Sequence, residues 1–102
     1  MRIPEKIKVG NFIYDVEITN YPIIYEGLVC QGLCDSENQK LYLSSDLTKQ
    51  NLERVFIHEL LHSIQMDRCL DLGEDAELII DEMAKGLHQV INDNLGLFVK
   101  TK

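Results

Sequence analysis

The hydrophobic pattern of this chain changes its period once, between residues 44 and 48, and this change limits the possible folds. Before it, apolar and polar residues alternate in short runs, as they do in half-buried β-strands. After it, apolar residues recur every three or four positions, as they do on the buried face of an α-helix. With 102 residues the chain has room for one core, so strands followed by helices predict a single α+β domain over residues 1–102.

The strand-forming half contains two hairpin signals. Residues 6–19 consist of two β-rich runs on either side of a Gly-Asn dipeptide, which favours the tight turn of a hairpin. A second hairpin is expected from about Leu28 to Ser44, with residues 35–38 forming its turn. In its return strand, Leu41 and Leu43 share one face, which predicts that both side chains enter the core.

Two helices are predicted in the second half. Thr48 can cap the first, which runs to about Asp67, and the second runs from about Asp75 to Asn92 after a connector at residues 68–74. The tail at residues 97–99 is expected to add a short strand or to pack on the helices. The apolar positions that predict the buried faces are Leu52, Val55, Phe56, Ile57, Leu60, Leu61 and Ile64 in the first helix, and Ile79, Ile80, Met83, Ala84, Leu87, Val90 and Ile91 in the second.

Composition and charge narrow the range of partners. The formal net charge is −7 and the ten Lys and Arg residues are scattered, so no nucleic-acid partner is expected. No apolar run approaches the roughly 20 residues that span a bilayer, and the N-terminal residues lack the apolar stretch of a signal peptide. We therefore expect a cytoplasmic protein without a membrane partner. Cys30, Cys34 and Cys69 cannot all pair within one chain, and free thiols are expected.

The first predicted helix carries the sequence His-Glu-Leu-Leu-His at residues 58–62. Because His58 and His62 are four positions apart, both imidazoles leave one helix face and can reach one tetrahedral Zn²⁺ at about 2.0–2.1 Å. Glu59 borders that face and is better placed as a general base beside a metal-bound water than as a ligand. This H-E-x-x-H arrangement on a helix predicts one zinc ion per chain.

The alternative interpretation is that both histidines are structural. The motif would arise by chance in roughly one of a hundred shuffled chains of this composition. It uses two of only three histidines, however, and lies on a mostly apolar helix, where unpaired imidazoles would be costly. Metal binding is therefore the favoured interpretation.

A catalytic zinc normally takes three protein ligands and leaves one position for water, so a third ligand is needed. The carboxylates that follow the motif are Glu74, Asp75, Glu77, Asp81 and Glu82. At about 100° per residue, Glu82 lies roughly 140° from the centre of the second helix's apolar face and should be solvated, whereas Glu77 lies about 80° from it, at the border of the buried face. Glu77 is the predicted third ligand, and Asp81, one turn later, is placed to orient a histidine.

Cys34 or Cys30 is the rival third ligand, since a thiolate upstream of the motif would complete the site, as it does in peptide deformylases. Residues 31–36 do not contain the Glu-Gly-Cys-Leu-Ser pattern of those enzymes. Both cysteines are also explained as small residues of a strand.

The stretch from about Gly32 to Asn94 resembles the small metallopeptidase-like proteins of bacteriophages and prophages, distant relatives of the ImmA/IrrE peptidases. The shared features are a β-hairpin, Ile-His-Glu-Leu-Leu-His at residues 57–62, an acidic connector, and a helix of the form Glu-x-x-x-x-x-Met-Ala-x-x-Leu beginning at Glu77. In the ImmA/IrrE relatives that glutamate is the third zinc ligand and a small polar residue follows four positions later, which implies these roles for Glu77 and Asp81. The resemblance also implies a minimal zincin-like fold, with a small antiparallel or mixed sheet packed on two helices, and a host-cytoplasmic location.

The predicted function is that of a zinc-dependent peptidase, with Glu59 as general base and a peptide or protein as substrate. In zincins the edge strand of the sheet pairs with extended substrate, and residues 39–43 are the candidate for that strand. Two alternatives stay open: a non-catalytic, zinc-stabilised module that binds another protein, and a zinc hydrolase of a small amide. The candidate stabilisers of the oxyanion are Tyr25, Tyr42, Arg68 and His88.

Overall fold

The computed structural model describes residues 1–98, in which strands precede helices as the change in hydrophobic period predicts. The α+β class is thereby confirmed. The expected contribution of Val99 to a terminal strand lies outside the described residues, while Leu97 and Phe98 form an exposed turn. The elements are β1 (Lys6–Val9), β2 (Phe12–Thr19), β3 (Ile23–Tyr25), β4 (Leu28–Cys30), β5 (Gly32–Asp35), β6 (Lys40–Ser44), α1 (Lys49–Asp67) and α2 (Ala76–Asp93).

The main sheet is mixed and has the strand order β1-β2-β6-β5. The β1–β2 and β5–β6 pairs are antiparallel, whereas β2 and β6 run parallel, with Val16 opposite Leu41. Because β6 has a partner on each side, the expectation that residues 39–43 form the edge strand is wrong. The edge on that side is β5, which pairs only with β6 in this sheet.

The first predicted hairpin is confirmed. Val9 is opposite Phe12, so Gly10 and Asn11 form a two-residue turn between β1 and β2. Gly10 has a φ of 58°, a conformation that residues with a Cβ atom rarely adopt.

The second predicted hairpin is shorter than expected. It consists of β5 and β6, with Asp35 opposite Lys40 and residues 36–39 as the turn. The β4 residues, which were expected to belong to it, pair instead with β3 in a separate two-stranded hairpin that has Tyr25 opposite Leu28. This β3–β4 hairpin was not predicted from the sequence.

The core forms where the main sheet packs on α1. Leu41 and Leu43 of the central strand β6 are fully buried, as their shared face predicts, and they cluster with the face of α1 around Ile57. The helix begins where expected, because the Thr48 hydroxyl accepts a hydrogen bond of 3.3 Å from the backbone N–H of Asn51. This packing fixes the face of α1 on which the histidines lie.

The packing face of α2 on α1 is narrower than its apolar pattern predicts. Ile80 and Ala84 are buried, but Ile79, Met83 and Val90 are exposed, so the prediction that the whole apolar stripe is buried is wrong. Polar side chains of α2 also meet α1, since Asp81 lies beside Arg54 and His88 lies beside Glu53.

One of these polar contacts is a buried carboxylate. Glu53 of α1 is 4% exposed, and its Oε1 lies 3.0 Å from Nε2 of His88 in α2. Burial favours the neutral acid, but the hydrogen bond from His88, together with the α-amino group of Met1 3.4 Å from Oε2, lowers the pKa of Glu53. The charged carboxylate is therefore favoured in the folded protein and connects the two helices.

We expect Glu53→Gln to lower the free energy of unfolding by about 1–3 kcal/mol at pH 7, since the partly buried His88 loses a charged partner. Because folding lowers the pKa of Glu53, this stabilisation is fully present above the ordinary carboxyl pKa of 4.5 and is lost as the pH decreases through the folded-state value. Denaturant unfolding of both proteins between pH 7 and pH 3 measures the difference. A difference that stayed constant over this range would contradict the role assigned to the carboxylate.

Candidate metal centre

Two histidine side chains of α1 approach each other through their Nε2 atoms. His58 and His62 lie one helical turn apart, with ring centroids separated by 4.9 Å and Nε2 atoms by 3.2 Å. Their side chains are 13% and 22% exposed, so the rings are largely enclosed but reachable. Both imidazoles leave the same face, as their spacing predicts.

Glu77, in the first turn of α2, completes the cluster. One of its carboxylate oxygens lies 2.7 Å from Nε2 of His58, and the other lies 2.9 Å from Nε2 of His62. One ligand atom from each of the three residues lies within 4.8 Å of the others, so the group could hold a metal ion. Donors about 2.0–2.1 Å from a tetrahedral zinc are about 3.3–3.4 Å apart, close to the 3.2 Å between the two nitrogens. The other candidate carboxylates, Glu74, Asp75 and Glu82, are not part of this group.

Asp81 lies on the Nδ1 side of His58, away from the cluster. Its Oδ1 is 3.3 Å from Nδ1 of His58 and 3.4 Å from Nη1 of Arg54, and its Oδ2 is 3.0 Å from Nζ of Lys85. The hydrogen bond from Lys85 is the main cause that lowers the pKa of Asp81. A carboxylate beside Nδ1 favours a proton there and leaves the Nε2 lone pair for a metal. Sequence reasoning missed Arg54 and Lys85, although the i, i+4 spacing of Asp81 and Lys85 signals the second.

Glu59 is buried beside the cluster without joining it. It is 7% exposed, and its Oε2 lies 4.0 Å from Nε2 of His58. Burial raises the pKa of Glu59 to about 7; Glu77 adds to this increase, while His58 and a hydrogen bond from the backbone N–H of Cys34 oppose it. A carboxyl group with a pKa near neutrality can both accept and release a proton, as a general base must.

A glycine allows β5 to approach Glu59 closely. A Cβ atom on Gly32 would lie 2.6 Å from Cγ1 of Val55 and 3.1 Å from both Cγ and Oε2 of Glu59. Any larger residue would push the edge strand away from α1 and disturb the carboxylate. Sequence reasoning missed Gly32; the available signal was a glycine inside a strand, which marks a bulge or a close backbone approach.

We expect Gly32→Ala to lower the free energy of unfolding by about 1–3 kcal/mol, the usual effect of overpacking. The matched control is Gly86→Ala in α2, where, apart from the neighbouring residues and the backbone of α2, no atom of residues 1–98 lies within 4 Å of the added Cβ. The control should be neutral or should stabilise the helix by up to about 1 kcal/mol, because alanine favours helices more than glycine. Denaturant unfolding compares the two variants, and a Gly32→Ala protein as stable as the parent would contradict the close approach.

The cysteines that rival Glu77 lie near the cluster but outside it. Cys30 and Cys34 border the same cleft as the histidines, yet neither belongs to the ligand group found among residues 1–98. Burial raises the pKa of the Cys34 thiol to about 12, and Glu59 acts in the same direction. Because Glu77 converges with the two histidines and Cys34 does not, the geometry favours Glu77 over Cys34. Both thiols and that of Cys69 are free, as expected.

Of the four candidate oxyanion stabilisers, only Tyr25 borders the cleft that contains the cluster. Tyr42 lies on the opposite face of the sheet from the buried leucines of β6. Arg68 lies beside the β1–β2 turn, and His88 is held by Glu53.

Comparisons with protein-family models, with curated proteins and with solved structures gave no match for this chain. The resemblance to the ImmA/IrrE relatives stays a prediction from the sequence. In residues 1–98, no helix combines the length and the hydropathy that crossing a membrane requires.

Proposed function

We propose that this protein is a zinc-dependent metallopeptidase, similar to the small ImmA/IrrE-like proteins of phages and prophages. The observation that carries the proposal is the convergence of His58, His62 and Glu77 beside the buried carboxyl of Glu59, along a cleft of about 570 Å³. Two imidazoles and one carboxylate are a ligand set of catalytic zinc sites, which keep a fourth position for water or substrate. A structural site would provide four protein ligands, and three converge in the part of the chain described.

The residues around the cluster have different roles in the proposed reaction. When bound, zinc supplies Lewis-acid chemistry, which polarises a peptide carbonyl and makes a water molecule more acidic. His58, His62 and Glu77 would hold the metal, and Asp81 fixes the ring of His58 through Nδ1. Glu59 accepts the proton of the attacking water and passes it to the departing amine.

The edge strand β5 favours a peptide substrate over a small amide. Among residues 1–98 no strand pairs with its outer edge in the main sheet, and Gly32 brings this edge against Glu59. An extended peptide can add to such an edge through backbone hydrogen bonds, which would place a peptide bond beside the cluster. A small amide would use none of these hydrogen bonds.

A second candidate is a non-catalytic, zinc-stabilised module that binds another protein. The exposed apolar residues Ile79, Met83 and Val90 of α2 favour it, because contiguous apolar surface marks binding sites. A metal held between α1 and α2 would also stabilise so small a domain. The two candidates differ in whether the zinc-loaded protein cleaves peptide bonds.

Zinc removal separates these candidates. The purified protein is stripped with a chelator, reloaded with one equivalent of Zn²⁺ and incubated with a tryptic peptide library, whose new termini are identified by mass spectrometry. We expect new termini with the loaded protein, none with the stripped protein, and recovery on reloading. A loaded protein that binds zinc stoichiometrically but produces no new termini would contradict the peptidase proposal and favour the binding module.

A further inference from the structure

The β3–β4 hairpin exposes large apolar side chains on both of its faces. Ile24, Leu28 and Val29 are 62%, 71% and 76% exposed. The hairpin turns through Glu26 and Gly27, both with positive φ, which gives it a tight two-residue connection. A two-stranded hairpin gains little stability by itself, and exposed apolar side chains grouped on so small an element favour an interaction site.

The pairing register shows which face of this hairpin meets the candidate metal centre. Residues directly opposite each other share a face, so Tyr25 and Leu28 lie on one face, and Ile24 and Val29 lie on the other. Tyr25 and Leu28 border the cleft that contains the histidines and Glu59, whereas Ile24 and Val29 do not border it. The first face is therefore directed to the site and the second is directed away from it.

One side of the cleft is lined by apolar side chains. Met66, in the last turn of α1, is 53% exposed and borders the same cleft as Tyr25 and Leu28. Glu59 and Glu77 line the same cleft. A substrate side chain that enters beside the metal centre would bury apolar surface against this wall.

We propose that Tyr25, Leu28 and Met66 form a specificity-determining wall, and that the substrate is an extended peptide with a large apolar side chain within about two residues of the scissile bond. This inference rests on the proposed peptidase function. Burial of one such side chain in place of a small polar one changes kcat/KM by about 10- to 100-fold. The hairpin thus selects the residue that is presented next to Glu59.

The test compares Leu28→Ser with Val29→Ser, because both positions are exposed on the same hairpin but only Leu28 borders the cleft. Each zinc-loaded protein is incubated with the tryptic peptide library, and residue frequencies around the cuts are counted. We expect the parent and Val29→Ser proteins to cut beside Leu, Ile, Met or Phe. In the Leu28→Ser protein the preference for these residues around the cuts should be about tenfold weaker. Zinc affinity and thermal stability should be the same in all three.

Three outcomes would overturn the inference. A parent that cuts without apolar preference would remove the wall's role and leave the hairpin as a docking surface for another protein. A preference unchanged in Leu28→Ser, or lost equally in Val29→Ser, would show that the cleft-facing side of the hairpin does not select the substrate. These outcomes differ from failure of the proposed function, in which the zinc-loaded parent cuts no peptide.

Discussion

Replacing Glu59 with glutamine is expected to lower the kcat of the zinc-loaded protein by about 10²–10⁴-fold while leaving zinc bound. Glutamine has the size of glutamate and fits the same buried position, but its amide cannot accept a proton from water. Glu59 lies outside the ligand group, with its Oε2 4.0 Å from Nε2 of His58, so the metal should not need it. The two measurements are kcat on a peptide identified from the library and zinc stoichiometry by native mass spectrometry.

Glu82→Gln is the matched control for this substitution, because it makes the same chemical change on the exposed side of α2, where Glu82 pairs with Lys85. It should change neither kcat nor zinc content. Loss of zinc from Glu59→Gln would show that Glu59 is a ligand. The prediction that Glu59 acts as the general base and does not bind the metal would then be wrong. Retained activity would place the proton acceptor elsewhere.

Replacing Glu77 with alanine is expected to weaken zinc binding by more than 100-fold, because it removes a charged ligand from a three-residue group. Asp81→Ala should be intermediate, since loss of a residue that only orients a ligand typically costs about 10–100-fold in affinity. Glu82→Ala should leave the affinity unchanged. Thermal stability in the presence of zinc should follow the same order, because a metal stabilises only the protein that binds it.

Zinc titration against a competing chelator on the three purified variants gives this order directly. If Glu82→Ala were the weakest binder, the orientation of α2 on α1 described above would be wrong. If all three variants bound zinc like the parent, Cys34 would replace Glu77 as the third ligand, and Cys34→Ser would then lose the metal. Circular dichroism of each variant without zinc separates loss of ligand from loss of fold.

Features encoded by local periodicity were predictable from the sequence. The bounds of α1, the Thr48 cap and the turn at Gly10 follow from spacing and from residue preferences over a few positions. The cluster of His58, His62 and Glu77 was also predictable, because two members lie one turn apart and the third was chosen from its angle on the second helix. The resemblance to the ImmA/IrrE relatives implies the same residue. The angle placed Glu77 at the border of the buried face, whereas its side chain is 71% exposed.

Features that depend on pairing between distant segments were not predictable in the same way. The parallel pairing of β2 with β6 places β6 inside the sheet, and nothing in residues 39–43 alone distinguishes an interior strand from an edge strand. The β3–β4 hairpin was missed because its strands are three residues long and do not alternate. The close approach at Gly32 depends on the packing of β5 on α1, which the sequence does not show.

The central claim is that His58, His62 and Glu77 hold one zinc ion beside Glu59. A crystal structure of the zinc-loaded protein, with anomalous diffraction recorded on both sides of the zinc absorption edge, tests it most directly. We expect one anomalous peak per chain at about 2.0–2.2 Å from both Nε2 atoms and from a Glu77 oxygen, with a water in the remaining position and Glu59 not coordinated. An anomalous peak ligated by Cys34, or no peak between the two histidines, would contradict it.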